Sequence, residues 1–177
     1  MSDQFRVMTV CTGNICRSPM AEVVLRERFE AAGLGDRVVV DSTGISGEEH
    51  GNPIDPRARA VLAEHGHVVD GTHRARQVRP SDVVSHDLVL AMTSQHARAL
   101  RRLTDGTPEG VPNGRVRMYR SFDPAAPTVA PGSPEHVLDI ADPWYGGPED
   151  FEVCLAEVEA AADGVVEHVR AELAARA

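Results

Sequence analysis

The chain has 177 residues, 42% hydrophobic and 4% aromatic, with a formal net charge of −9 from 27 acidic and 18 basic residues. Its length suits one domain, 1–177, with a core of Val, Leu, Ile and Ala, and its acidic balance argues against nucleic acid or an anionic membrane as partner. Every basic residue is Arg; the absence of Lys excludes a Walker-type phosphate loop and a Schiff-base site.

In chain order, Phe5 to Val10 reads as a buried strand that breaks at Thr12-Gly13-Asn14. Ser18-Pro19 then predicts a helix start, with Ser18 as N-cap and Pro19 first inside; Ala21, Leu25, Phe29 and Ala32 share one face, and Gly33 ends it. Val38 to Val40 predicts a second strand, stopped by Asp41-Ser42-Thr43-Gly44. A polar loop leads to Asp55-Pro56, which opens a helix carrying Ala58, Val61 and Leu62. Leu88 to Met92 is a third strand, and Thr93-Ser94 caps a helix through Ala97, Leu100 and Leu103.

Arg115 to Arg120 alternates Arg115, Arg117 and Tyr119 against Val116 and Met118, a fourth strand. Residues 121–148 hold six prolines and little periodicity, so a long ordered surface loop is expected there. From Phe151 to Leu173 apolar residues step by three or four, a long helix. Strands alternating with helices imply βαβ units, a parallel sheet and a doubly wound α/β domain.

Cys11, Cys16 and Cys154 are too few and too unevenly spaced for a secreted disulfide framework. Neither Cys-x-x-Cys nor His-Glu-x-x-His occurs, so no metal or other cofactor is expected. Met1-Ser2-Asp3-Gln4 lacks the basic and apolar regions of a signal peptide, and no apolar run reaches the roughly 18 residues of a membrane span. The expectation is a soluble protein of the reducing cytoplasm.

Ligands of such sheets bind where a strand hands over to a helix. The first handover is Cys11-Thr12-Gly13-Asn14-Ile15-Cys16-Arg17-Ser18-Pro19. Cys11 at the strand's end would face the loop amides and the start of a helix, an anion site whose field favours a thiolate. Gly13 would let the backbone curl so that successive N–H groups converge. Arg17 would add a planar fork for two oxygens of a tetrahedral anion, and Ser18 a hydroxyl for the sulfur.

The run Val10 to Pro19 resembles the signature loop of the low-molecular-weight protein-tyrosine phosphatases. The resemblance continues through Asp41-Ser42, Gly51-Asn52-Pro53, His73-Arg74-Ala75-Arg76-Gln77 and Leu88-Val89-Leu90-Ala91-Met92, and ends on Asp142-Pro143-Trp144-Tyr145-Gly146. It implies a three-layer domain with a four-stranded parallel sheet flanked by helices. It also implies a phosphotyrosine monoester hydrolase whose Cys11 forms a phosphocysteine, with Arg17 and the amides of Thr12, Gly13, Asn14, Ile15 and Cys16 holding the phosphate. By the same resemblance Asp142 is the general acid, Trp144 and Tyr145 wall an aromatic slot, and Asn14, Ser18, Ser42 and His73 brace the loop. Cys16 would either pack as a small core residue or form a reversible disulfide with Cys11. Cys154 reads as core, and the other histidines have no assigned role.

The expected partners are phosphotyrosine-containing proteins, and the expected state a monomer or weak dimer. Two departures bear on peptide selectivity: Glu48-Glu49-His50 stands where family members often carry an aromatic residue, and Thr93 where many have Asp. Three rivals share the fold or the loop: a phosphoarginine phosphatase, which Ile15 would crowd; an arsenate reductase, whose thiol relay has only Cys154 to draw on; and a phosphopeptide-binding module without turnover.

Overall fold

The computed structural model describes residues 4–106, 112 and 114–177; Met1-Ser2-Asp3, part of the segment inspected for a signal peptide, lies outside them. Four strands, β1 (Phe5–Cys11), β2 (Val38–Gly44), β3 (Leu88–Ala91) and β4 (Val116–Met118), form one sheet in the order β2-β1-β3-β4. All three pairings are parallel. The helices between them are α1 (Arg17–Ala31), α2 (Pro56–Glu64), α3 (Pro80–Ser85) and α4 (Ser94–Leu103), and α5 (Pro148–Ala175) closes the chain.

The two-residue period of β1 explains the layering. Phe5, Val7 and Cys11 pack with Met20, Leu25 and Phe29 of α1 and with Leu155, Val158 and Val165 of α5. Met8 and Val10 point the other way, into a second cluster with Val83 of α3 and Ala97 and Leu100 of α4. Both faces are covered, so the strands read as nearly continuous apolar runs. The doubly wound parallel sheet expected from the sequence is what forms.

Several local expectations need correction. Helix α1 begins two residues earlier than expected: Cys16 occupies the N-cap without a side-chain cap bond, and Ser18 and Pro19 lie in the first turn. Pro19 is tolerated there because first-turn N–H groups have no intrahelical acceptor. β2 does not stop at Val40 but runs on through Asp41-Ser42-Thr43 to Gly44, paired with β1 as far as Cys11. β4 is only Val116–Met118, and Tyr119 turns inward, fully buried, to donate its hydroxyl to Val158 O at 2.9 Å.

Helix α3 was not anticipated, yet its signals were present: Pro80 sits in the first turn, and the Asp82 carboxylate accepts from Arg79 N at 2.7 Å. The proline-rich stretch 121–148 is ordered by short 3-10 turns over Tyr119–Phe122, Glu135–Leu138 and Pro143–Tyr145. No helix among the described residues is long and apolar enough to cross a membrane.

Candidate active site

β1 ends on Cys11, and the chain from Thr12 to Cys16 links it to α1. The curl depends on Asn14 rather than on Gly13. Asn14 adopts φ 61°, the left-handed region, whereas Gly13 is not among the residues with positive φ. Asn tolerates that conformation better than most side chains, and here the amide is locked from every side. Its Nδ2 donates to Ser18 Oγ and to Ser42 Oγ, each at 2.9 Å. Its Oδ1 accepts from Arg76 N at 3.0 Å, and its backbone carbonyl lies 2.8 Å from His73 Nε2. Ser42, at the β2 end, is thus brought to the loop from the neighbouring strand, and His73 and Arg76 from the segment after α2.

Two residues essential to this shape were not picked out from sequence. Glu22 is a nearly buried carboxylate on α1: it accepts from Ser42 Oγ, pairs with Arg26 Nη2 at 2.5 Å and lies 3.8 Å from His73 Nδ1. A signal existed, because Glu22 follows Ser18 by four residues and precedes Leu25 by three, which puts a charge on the inward face. Gly44 is the second. A Cβ there would lie 2.6 Å from Thr12 O and 3.0 Å from Asn14 N, so only glycine lets the loop lie against β2.

Within the curl, Cys11 Sγ is 3.0 Å from Ser18 Oγ, and both are buried. Ser18 Oγ also donates to Thr43 O at 3.2 Å. Among the described residues, the backbone N–H groups from Gly13 to Ser18 donate to no protein acceptor. They lie at the start of α1, where free N–H groups and the helix dipole suit an anion, so this stretch can serve as its cradle.

Arg17 lies under this cradle, 4% exposed. Its Nη1 donates to Ile140 O at 2.9 Å; its Nη2 meets Asp142 Oδ2 at 3.2 Å and Thr12 Oγ1 at 3.4 Å. Its Nε is buried with no protein partner, so part of the fork's capacity is unspent.

Asp142 reaches the site from a loop fixed by the sheet itself. Ile140 N donates to Met92 O at 2.9 Å, continuing the end of β3, and Asp139 Oδ1 accepts from Ser94 N at 2.7 Å at the start of α4. Asp142 then caps the Pro143–Tyr145 turn through Trp144 N, 3.1 Å from Oδ1, leaving Oδ2 for Arg17. Trp144 and Tyr145 stand edge to face, centroids 5.0 Å apart, 49% and 83% exposed: they project from the loop and do not pack on the sheet rim. Arg57 at the start of α2 holds the Trp144 carbonyl at 3.2 Å, while Asp55 grips its guanidinium through two contacts of 3.0 and 2.9 Å. Despite the cost of burial, the bonds from Arg57 keep the Asp55 carboxyl below its usual range.

The opposite rim carries Glu48, Glu49 and His50. Glu49 leans over Gly13, where a Cβ would meet its Cγ at 3.2 Å, and is held by Asn52 Nδ2 at 2.7 Å. Ile15 is half-buried against the core, and Cys16 is buried. Burial, with the nearby Asp55, Cys11 and Asp142 charges, pushes the Cys16 thiol well up, so it stays protonated. Cys154 is in the core, as expected, its thiol raised by burial to about 12. Among the described residues no cluster of three or more His, Cys, Asp or Glu suits a metal ion.

One of the histidines left without a role is His96 on α4. It is 6% exposed and its Nε2 lies 2.8 Å from Thr12 Oγ1.

A model of the low molecular weight phosphotyrosine protein phosphatase family matches residues 6–175. The chain belongs to this family. It is 50% identical over 98% of both chains to a low molecular weight protein-tyrosine-phosphatase of Streptomyces coelicolor. It is 44% identical to low molecular weight protein-tyrosine phosphatase A of Mycobacterium tuberculosis, over 98% of this chain and 97% of the other. A crystal structure of a protein tyrosine phosphatase from Entamoeba histolytica, with Hepes in its active site, superposes with a TM-score of 0.81 at 25% identity, covering 96% of this chain and 99% of that one. The four-stranded parallel sheet flanked by helices is thus the family's fold.

Proposed function

We propose that the chain, as one domain over 1–177, hydrolyses phosphotyrosine monoesters of proteins through a phosphocysteine on Cys11. The observation that carries this reading is the meeting of two distant segments: Arg17 of the cysteine loop is ion-paired at 3.2 Å with Asp142 of the Asp-Pro loop. A nucleophile, an anion cradle and a proton donor then share one site.

The cradle N–H groups and Arg17 bind the three non-bridging oxygens. The Cys11 thiolate attacks phosphorus; the S–P bond forms, the P–O bond to the tyrosine breaks, and the Asp142 carboxyl gives its proton to the departing oxygen. Water then attacks the phosphocysteine, the S–P bond breaks, and Asp142 takes the water's proton as phosphate and thiolate are released. Ser18 supports both sulfur states. Toward a thiol, its oxygen accepts while its proton serves Thr43 O; toward a thiolate, the same proton turns to the sulfur. Trp144 and Tyr145 supply apolar surface for a phenyl ring, and the depth from that rim to Cys11 favours phosphotyrosine over the shorter phosphoserine.

The reading includes a soluble, cytoplasmic enzyme, monomeric or weakly dimeric, acting on phosphoproteins without a cofactor. Three free thiols support a reducing compartment. The core position of Cys154 speaks against a thiol relay of the arsenate-reductase kind.

The test is hydrolysis of a phosphotyrosyl peptide, with phosphoarginine and arsenate alongside. Cys11→Ser should abolish turnover while retaining phosphate binding, and wild-type-like turnover in that variant would sink the mechanism. Asp142→Ala should cost about 10²-fold or more on phenyl phosphate and much less on p-nitrophenyl phosphate, whose leaving group needs no proton. Equal losses on both would remove Asp142 as proton donor.

A further inference from the structure

The Thr12 side chain stands between a guanidinium and an imidazole. Arg17 Nη2 lies 3.4 Å from Thr12 Oγ1 and His96 Nε2 lies 2.8 Å from it, so the hydroxyl links the phosphate-binding guanidinium to α4. His96 is nearly buried, and its other ring nitrogen, Nδ1, has no partner. Burial, and after it the Arg17 charge, push the imidazole down to about 3, so it is neutral in use.

A neutral imidazole has one N–H, and its position decides what Thr12 does. With the proton on Nδ1, a buried N–H would have no acceptor, and Thr12 would spend its hydroxyl proton on Nε2. With the proton on Nε2, the buried Nδ1 is merely an unused lone pair, which costs less than an orphaned donor. Nε2–H then donates to Thr12, Arg17 fills the second lone pair, and the Thr12 proton is left for another acceptor. Thr12 is exposed at the mouth of the cradle, beside the guanidinium that would hold an oxyanion.

We propose that His96 sets Thr12 as a hydroxyl donor to a phosphoryl oxygen, adding a side-chain hydrogen bond to the backbone cradle. His96 is a positioning residue that acts only through Thr12. This rests on the phosphatase reading above and extends it to two side chains.

The probe is orthovanadate, a tetrahedral oxyanion measured as a competitive inhibitor of p-nitrophenyl phosphate hydrolysis. Thr12→Val keeps the shape and removes the hydroxyl; it should weaken vanadate about tenfold, in line with the loss of one hydrogen bond to a charged group. Thr12→Ser should recover most of that loss. His96→Phe should weaken vanadate about three- to tenfold, and His96→Gln, which can still donate to Thr12, should recover part of it. The Thr12→Val/His96→Phe double variant should be no weaker than Thr12→Val alone, because the two act in series.

Vanadate affinity within twofold of wild type in Thr12→Val overturns the proposal, as does a serine variant as weak as the valine one. Additive losses in the double variant overturn the coupling. Should Thr12→Val fail to fold, the phenylalanine-to-glutamine recovery at position 96 decides alone. A wild-type protein without phosphotyrosine hydrolysis would overturn the underlying reading; an active wild type with an unaffected valine variant overturns only this inference.

Discussion

The two halves of the site are built differently. The cysteine loop is held by side chains: Asn14, fully buried, uses both amide hydrogens and its oxygen, and Ser42, Glu22 and His73 lock it from β2, α1 and the segment after α2. The Asp-Pro loop is held mainly through backbone groups at Ile140 and Trp144, and it ends on exposed Trp144 and Tyr145. The difference follows from the tasks. Binding a phosphoryl group of fixed shape rewards a cradle set in advance, because no reorganisation is then needed during reaction. A proton donor and a rim that meet varied peptides gain from a hold that permits adjustment.

The largest test of that contrast is Gly44→Ala. The added Cβ would press on Thr12 O at 2.6 Å and on Asn14 N at 3.0 Å, both backbone atoms of the loop. Overpacking of this kind costs about 1–3 kcal/mol in stability, and the displaced cradle should lose about 10²-fold in kcat/KM. Steady-state kinetics with a thermal melt checks both. A Gly44→Ala enzyme with wild-type kcat/KM would mean that the cradle yields as readily as the opposite loop.

Arg57→Met probes the looser half. Arg57 ties the Trp144 carbonyl to Asp55, whose N–H in turn donates to Ile15 O at 2.9 Å, so this bracket is a direct link between the two loops. Its loss should misplace Asp142 and lower kcat on phenyl phosphate about tenfold, with at most about threefold on p-nitrophenyl phosphate. Stability should also fall, because nearly buried Asp55 loses its charged partner. The split between leaving groups separates the two effects: destabilisation alone lowers both rates alike.

The same contrast explains what the sequence made legible. Cys11, Arg17 and Ser18 lie within one turn of chain, and a strand-to-helix junction announces them by spacing. Asp142-Pro143 is visible as a pattern, but only the fold brings it 3.2 Å from Arg17. Helical spacing marks Glu22 as a charge on the inward face but not its partners, and Gly44, Arg57 and His96 act through contacts between elements far apart in the chain, on which local periodicity carries no information. Ser18 shows the opposite failure: beside Pro19 it matches a cap, yet its hydroxyl goes to Cys11, Asn14 and Thr43. Tyr119 fits the polar side of a strand alternation until its ring finds space beside α5. In each case a tertiary partner outweighed the local pattern.

The smallest expected effect lies behind α1 and serves as the control for both halves. His67 bridges Glu27 at 2.6 Å and Glu159 at 2.7 Å, joining α1 to α5 away from the site. Burial by itself lowers the His67 pKa, but the hydrogen bonds to Glu159 and Glu27, with their charges, outweigh it and hold the imidazole above its usual value. A group raised on folding stabilises fully below its unfolded pKa of about 6.5 and loses that contribution as pH climbs through the folded value. The two carboxylates are 39% and 30% exposed, so water screens the pair and the contribution stays below about 1 kcal/mol. Denaturation at pH 6 and pH 8.5 should therefore show a larger drop for wild type than for His67→Gln, with vanadate affinity equal in the two proteins. Parallel stability curves would remove His67 as the source of the slope, and a change in vanadate affinity would mean that the cradle is less insulated from the helix behind it than its own side-chain lattice implies.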